Sequence, residues 1–322
     1  MLYSIMGVRR VAGLFASLLA TLLVSSLVIF FMLEVLPGDP AEVMLGISAT
    51  PETIAVLRAE LGLHQSPWQR YWQWLGGMLV GEFGISYSYR IPVATLIYER
   101  MLVTLPLAIY ALLLTLVLAI PLALVAANHA RGVYDRMFMA VSQFGIALPN
   151  FWFAILLIAV FAIERDWFPA GGFAGWERGI TQGILALTLP AVSLAIPQAT
   201  ILFRIARASL LEVASQDYIR LARAKGLSKQ AALVRHGFRN ALIPIVTIMG
   251  LQCAFLVAGA IIIENVFALP GLGRLVVQAI GQRDLIVIEA VILLLVGLVV
   301  SMSFIVDMLY MVIDPRQKER GL

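Results

Sequence analysis

The feature that most limits what this chain can become is a set of long stretches holding no Asp, Glu, Lys or Arg. They cover residues 11–33, 101–127, 137–163, 179–203 and 241–263, with a shorter one over 290–306. A helix needs about 20 apolar residues to cross ~30 Å of hydrocarbon, and the first five windows reach that length. The sixth reaches it by extending back past Glu289 into Leu285-Ile286-Val287-Ile288 and forward past Asp307 to Ile313. Apolar residues run continuously in each window instead of alternating, which is the pattern of helices and not of barrel strands. Hydrophobic residues make up 61% and charged ones 13%, against about 25% charged in soluble domains. That balance excludes a disordered chain, a disulfide scaffold and an ordinary soluble enzyme. The expected fold class is an all-α polytopic membrane protein with six transmembrane helices. Arg9 and Arg10 precede the first window as they would a signal peptide. An h-region runs only about 7–15 residues, however, and Leu33-Glu34-Val35 offers no small-x-small cleavage site, so the window is expected to remain as an anchor.

The net charge of +4 is too small to argue for nucleic acid as a partner; its distribution says more. One set of alternate connections comprises the N-terminus, the 128–136 loop (Arg131, Arg136), the 204–240 segment and the tail (Arg316, Lys318, Arg320). It holds 15 of the 23 basic residues, including all three lysines. The other set holds the remaining 8, and acidic residues lean the opposite way. The positive-inside rule puts the richer set, and with it both termini, in the cytoplasm. Residues 34–100 then form a long outer segment, with a helical stretch near Pro51 to Leu61. Its aromatics Trp68, Tyr71, Trp72 and Trp74 suit a membrane interface, a ligand cage being the other reading. A second outer connection, 264–289, holds Leu269-Pro270-Gly271-Leu272-Gly273 and an amphipathic run from Arg274 to Ile280 expected along the outer surface.

The most informative stretch lies inside, from Glu212 to Pro244. Asp217 is placed to N-cap a short helix starting at Tyr218, its charge favoured by the helix N-terminus. Arg223 and Lys225 fall in the last turn, where cations are favoured. Gly226 stops the helix at the usual left-handed position. Ser228 caps a second helix carrying His236, Arg239 and Asn240 toward the membrane, with Pro244 in the first turn of the fifth span. The expected result is two helices at the membrane surface, with small residues Ala222 and Ala224 permitting close approach by another body. A plain basic loop obeying the positive-inside rule explains the charge but not the caps or the glycine stop.

Here the chain resembles the inner-membrane permeases of binding-protein-dependent ABC importers. Their cytoplasmic EAA-type loop looks like Asp217-Tyr218-Ile219-Arg220-Leu221-Ala222-Arg223-Ala224-Lys225-Gly226-Leu227, followed by His236, Arg239-Asn240-Ala241-Leu242-Ile243-Pro244. The literal Glu-Ala-Ala is absent, as in the peptide branch of that family. The resemblance continues through Pro37-Gly38-Asp39-Pro40-Ala41, Leu61-Gly62-Leu63, Gly81-Glu82-Phe83-Gly84 and Leu148-Pro149-Asn150-Phe151-Trp152. It ends with Phe168-Pro169-Ala170-Gly171-Gly172, Pro270-Gly271-Leu272-Gly273-Arg274 and Asp314-Pro315-Arg316. It implies the type I ABC importer permease fold, with an N-terminal helix and periplasmic segment over residues 1–100. A five-helix permease core over 101–322 follows, with a coupling helix at 217–226 that docks on an ATPase. The implied partners are a second homologous permease, two cytoplasmic ATPase subunits or domains, an extracytoplasmic binding protein and membrane lipid. The implied setting is a bacterial inner membrane, and the implied cargo di- or oligopeptides. Nickel or a nickel chelate, an opine or glutathione are the alternatives.

The residues also limit what the chain does alone. A Walker A loop needs Gly-Lys followed by Ser or Thr, and the three lysines follow Ala224, Ser228 and Gln317. ATP and Mg therefore belong on partner subunits, and no cofactor is expected on this chain. His64, His129 and His236 all lie in connections, so no Ser–His pair or His-based metal cluster is expected at bilayer depth. Asp307 is expected to partner a basic group such as Arg204 or Arg239. An ATP-independent channel or secondary carrier is the reading from a different class. Pathway candidates are the uncharged polar residues of the spans. Gln143 and Asn150 stand seven apart and nearly on one helix face; Gln198 follows Pro197, and Gln252 sits beside Cys253. Each could equally be interhelical hydrogen-bond glue, worth roughly 0.6 kcal/mol per contact. Replacing Gly226 with a bulky residue is expected to uncouple transport while leaving insertion intact, read by uptake against membrane abundance; unchanged uptake would remove the coupling assignment.

Overall fold

The computed structural model describes residues 2–35, 40–45, 49–60 and 62–313. Pro37-Gly38-Asp39, Leu61, Asp314-Pro315-Arg316 and the rest of the basic tail lie outside those residues. Helix is the regular structure of the described residues, with turns and loops between the helices and one isolated bridge between Ile85 and Pro92. In chain order the helices are α1 (Leu2–Glu34), α2 (Pro40–Leu45), α3 (Pro51–Glu60), α4 (Pro67–Val80), α5 (Val93–Asn128), α6 (Val133–Ala147) and α7 (Asn150–Leu157). There follow α8 (Ile180–Ala214), α9 (Asp217–Ala224), α10 (Lys229–Ala232), α11 (Phe238–Val266), α12 (Leu272–Gln282) and α13 (Leu285–Ile313). Among the described residues five runs are long and apolar enough to cross a bilayer: Val11–Glu34, Val93–Asn128, Ile180–Ala214, Lys229–Val266 and Leu285–Met311. The sixth expected span, 137–163, is broken. α6 and α7 meet at 102°, because Leu148 precedes a proline and is held extended at ψ 121°, where the proline ring disfavours helix.

Two compact units form, one from residues 1–16, 105–269 and 301–322, the other from 17–104 and 270–300. The first is organised on α8, whose most apolar window is 56% buried against 11–39% for the other four runs. Its face from Ala186 to Ala199 is enclosed almost all round, as expected of a helix apolar on every side. Neighbours reach it through glycine. A Cβ on Gly145 would stand 2.3 Å from Thr200 Cγ2, and one on Gly259 2.9 Å from Leu194 Cδ2. This is the close backbone approach by which membrane helices associate without a hydrophobic drive. The prolines inside α8 are flanked by hydroxyls that bond back. Ser193 Oγ donates to Pro190 O and Thr200 Oγ1 to Pro197 O, both at 2.7 Å, a bond that bends helices. In the loop after α7, Gly172 N–H donates to Phe267 O at 2.7 Å. A Cβ on Gly171 would lie 2.5 Å from that same oxygen, so the glycine is a condition of the contact.

The second unit contains α4, packed on the last turns of α1, and α12. The run from Arg274 to Ile280 does form an amphipathic helix, but it is not a free surface element. Leu272, Leu275, Val276 and Ala279 are buried, and Leu272 N–H donates to Thr104 Oγ1 at 2.8 Å. Asp284 is fully buried and clasps the 84–92 loop. It accepts from Ser86 Oγ at 2.6 Å and Ser88 N–H at 3.0 Å, and from Val287 N–H at the start of α13 at 3.4 Å. Burial, with Glu289 and Asp284 adding to it, raises the Tyr87 phenol above its usual range. Asp284→Ala leaves two buried donors without an acceptor, at about 1–3 kcal/mol each. Faster tryptic cleavage after the exposed Arg90 is expected in intact membranes, with Asp284→Asn intermediate; an unchanged rate would show that the clasp contributes nothing.

Candidate functional site

The segment from Glu212 to Pro244 folds as a short helix held on a packed base, all of it within the first unit. Ser215 Oγ donates to Glu212 O at 2.7 Å and closes α8. Gln216 is thereby left as the extended residue ahead of α9, with ψ 147° and no side-chain cap. The cap expected of Asp217 is thus displaced by one. Asp217 takes the first helical position and acts through its charge, while Arg220 donates to it at 3.4 Å across the exposed surface. At the other end Gly226 adopts φ +95° with open space where a Cβ would stand. Leu227 N–H reaches back to Ala222 O at 3.3 Å, closing the helix as a Schellman motif does.

Burial divides α9 sharply. Ile219 and Ala222 are 1% and 9% exposed and belong to a core with Leu210, Val213 and Leu233. Ala222 is therefore an inward contact and not a landing for a partner, which corrects its expected role; Ala224 alone of the two alanines is exposed. The outward face presents Leu221, 58% exposed, among Arg220, Arg223, Ala224 and Lys225. Tyr218 is turned to the side, its hydroxyl accepting from Asn240 Nδ2 at 2.8 Å. This is an apolar knob in a cationic ring.

Contacts around that knob secure α10 to α5 and join the ends of the spans to one another. Ser228 caps α10, accepting from Ala231 N–H at 3.2 Å. Lys229 Nζ then donates to the last carbonyls of α5, Ala127 O at 2.8 Å and Asn128 O at 2.7 Å, where a helix end offers unpaired acceptors and partial negative charge. Arg207 of α8 grips Asp135 of α6 with both ends of its fork, Nη2 lying 2.7 Å from Oδ2, while Arg131 N–H donates to the same carboxylate at 2.8 Å. Ser209 Oγ donates to Ala241 O at 3.1 Å, joining α8 to α11. Sequence reasoning counted Lys229, Asp135 and Arg207 only as charges. The one available signal was that Asp135 is the sole acid in the 128–136 loop.

The loop-to-membrane residues behave differently from expectation. Lys229 to Val266 is one helical run, so the second helix does not lie separately at the surface. It passes through a π segment, Leu233–Gly237, before α11, and such wide turns gather at functional positions. Pro244 stands inside α11 and not in its first turn, and it removes the bond to the Asn240 carbonyl. His236 and Arg239 are exposed.

Of the pathway candidates, Gln143 and Asn150 do not share a face, because the 102° break separates them. Gln143 is exposed and accepts from Arg204 Nη1 at 3.1 Å. Asn150 opens α7 with its Nδ2 3.5 Å from where a Cβ on Gly259 would be. Gln198 and Gln252 are 6% and 2% exposed, and Gln252 Nε2 donates to Gln198 O at 2.8 Å. That pair joins α8 to α11, as the glue reading requires. Among the described residues no ion pair joins Asp307 to Arg204 or Arg239: Asp307 lies on an exposed side of α13, so that expected pairing is corrected. A cleft of about 500 Å³ beside the loop after α7, with Arg178 as its charged lining residue, was not visible in sequence.

The sequence matches the family described as binding-protein-dependent transport system inner membrane component over residues 119–319. Residues 5–108 match that family's N-terminal companion. A protein of Brucella abortus named as a peptide transport system permease is 39% identical over 301 residues, 94% of this chain and 96% of its own. The glutathione transport system permease protein of Escherichia coli K12 is 38% identical over 308 residues, 96% and 97% of the two chains. A Sinorhizobium fredii protein named as a peptide ABC transporter permease is 37% identical over 300 residues, 93% and 96%.

The pinned base generates its own test. Lys229→Met removes two partly exposed charged hydrogen bonds, together worth about 1–2 kcal/mol. Tryptic cleavage after Lys225 in inside-out membranes is expected to quicken by about fivefold or more for such a loss, with Lys229→Arg largely protected. Equal rates for Lys and Met would detach α9 from the end of α5.

Proposed function

This chain belongs to the family of binding-protein-dependent transport system inner membrane components, and from that premise we propose that it is the transmembrane permease subunit of an ATP-driven importer of peptides. The observation that carries the mechanism is α9. It offers Leu221 within a ring of Arg220, Arg223 and Lys225 to the cytoplasm, while Ile219, Ala222 and Lys229 tie it to the inner ends of α5, α8 and α11. A short helix held this firmly moves only with the spans beneath it, so force applied to it by a partner changes the spans. The partner reading is a pair of cytoplasmic ATPase subunits or domains carrying ATP and Mg. A groove with an apolar floor and an acidic rim would fit the face of α9. Members of the family are transport permeases and not themselves catalytic, and the lysine contexts of this chain agree.

A permease core of this kind is completed by a second, homologous permease chain and fed by an extracytoplasmic binding protein. Alternating access between the two chains moves the cargo, and the spans supply few charges that would select one solute over another. Peptides are the favoured cargo because relatives over 93–94% of the chain carry that name. A relative named for glutathione transport at 38% identity favours short peptide-like solutes as the second reading. The charge distribution supports placing both termini in the cytoplasm of a bacterial inner membrane. The test is ATPase stimulation of the purified complex by its binding protein loaded with peptides, glutathione or nickel chelates. Stimulation by peptide is the expected outcome. Stimulation by a nickel chelate alone would move the cargo assignment, and transport by this chain alone in liposomes without ATP would overturn the importer reading.

A further inference from the structure

Helix α4 plays no part in the coupling scheme, yet it is carefully made. Ser66 Oγ accepts from Gln69 N–H while Gln69 Oε1 accepts from Ser66 N–H, a full capping box, and Gly81 closes the helix at φ +85°. One side of it is fixed to α1. Tyr71 is completely buried, packing on Phe30 and Phe31, and its hydroxyl lies 2.9 Å from Ser26 Oγ. Trp74 meets Phe30 and Trp68 meets Phe31. Arg70, the helix's single charged residue, pairs with Glu34.

Those partners set a depth. Ser26, Phe30, Phe31 and Glu34 all belong to the outer end of the Val11–Glu34 span, and a rise of 1.5 Å per residue puts Ser26 about 12 Å below Glu34. A helix that touches α1 from Glu34 down to Ser26 lies beside the bilayer's outer half and not above it. Beyond that contact, which Trp68 borders, the exposed surface of α4 has two sectors. At about 100° per residue Trp68, Leu79 and Trp72 fall within ~40° of one another, and they are 57%, 81% and 58% exposed. Gln69 and Gln73, also exposed, occupy the adjoining sector. The apolar sector adds to a surface on α1 where Val24, Val28 and Met32 stand 57–71% exposed. That span is only 11% buried within this chain, an apolar surface of the kind that hydrocarbon covers.

We propose that α4 is an interfacial helix set into the outer leaflet, with Trp68, Trp72 and Leu79 against lipid and Gln69 and Gln73 toward headgroups and water. Indole rings favour this depth because one edge is apolar and the other donates a hydrogen bond. Paired with Glu34, Arg70 brings no free charge into it. The proposal is independent of the transported solute.

The test uses the full chain with its single cysteine removed (Cys253→Ser) and one new cysteine at Gln69, Gln73, Trp72 or Leu79, expressed in membranes open on the outer side. A membrane-impermeant maleimide is expected to label Gln69→Cys and Gln73→Cys at least about tenfold faster than Trp72→Cys and Leu79→Cys, since a thiol in apolar surroundings stays protonated and unreactive. A lipid-soluble maleimide is expected to reach the latter two. Equal labelling of all four by the impermeant reagent overturns the proposal. So does protection of Trp72→Cys and Leu79→Cys that disappears when the binding protein or partner permease is withheld, because a protein then covers this face. Fluorescence of a chain whose sole tryptophan is Trp72, the other five being Phe, avoids the cysteine substitutions. In phosphatidylcholine vesicles, quenching by acyl-brominated lipid should dominate over quenching by acrylamide; the reverse overturns the assignment.

Discussion

Hydrocarbon offers the backbone no hydrogen bonds, and the rest of this structure follows from how its helices meet that constraint. Each span satisfies its own amides, so helices attract one another only through close packing and a few polar contacts. α8 shows the result. Gly145 and Gly259 on its neighbours leave room for Thr200 and Leu194 at distances a Cβ would forbid. Gln252 and Thr115 hydroxyl or amide groups donate to carbonyls at Gln198 and Ala195. The prolines that loosen α8 are accompanied by Ser193 and Thr200, which bond back to the proline carbonyls. Flexibility and cohesion are therefore built at the same positions.

Helix α9 depends on that bundle. α9 is only 8 residues long, too short to be stable by itself in water, and it is held by tertiary contacts. Ile219 and Ala222 enter the core, Lys229 holds the end of α5, and the Asp135–Arg207 pair locks α6 to α8 just beneath. What stays exposed is Leu221 with its cations. The pair's carboxylate side chain is 4% exposed and its guanidinium 20%, so neither charge is free to recruit a partner. The basic excess of the 204–240 segment thus divides into charges that build the base and charges that face outward.

Much of this was legible in advance for identifiable reasons. Charge-free windows are long and unambiguous, and Gly226 and Ser228 do what local backbone chemistry demands. The errors were equally physical. Asp217 missed its cap because Ser215 closes α8 and hands the position to Gln216. The small size of Ala222 suggests an open site, but a sequence shows residue size and not direction. The seven-residue spacing of Gln143 and Asn150 aligns them only if the helix continues, and Leu148-Pro149 ends it. The clasp on Asp284 had no signal, since Ser86 lies 198 residues from its acceptor.

By itself, then, the sequence determined that the chain is helical, spans a membrane repeatedly and concentrates basic charge on one connecting segment. These are properties of composition, period and local capping, which act over a few residues. Tertiary structure alone decided which polar groups are spent on cohesion and which remain to act. Lys229, Arg207, Asp135 and Gln252 are consumed by partners far along the chain. Leu221 of α9 and Trp68 and Trp72 of α4 are left outward because their neighbours on the same helices face in. That division is set by three-dimensional packing against helices distant in sequence, which spacing within a single segment does not encode.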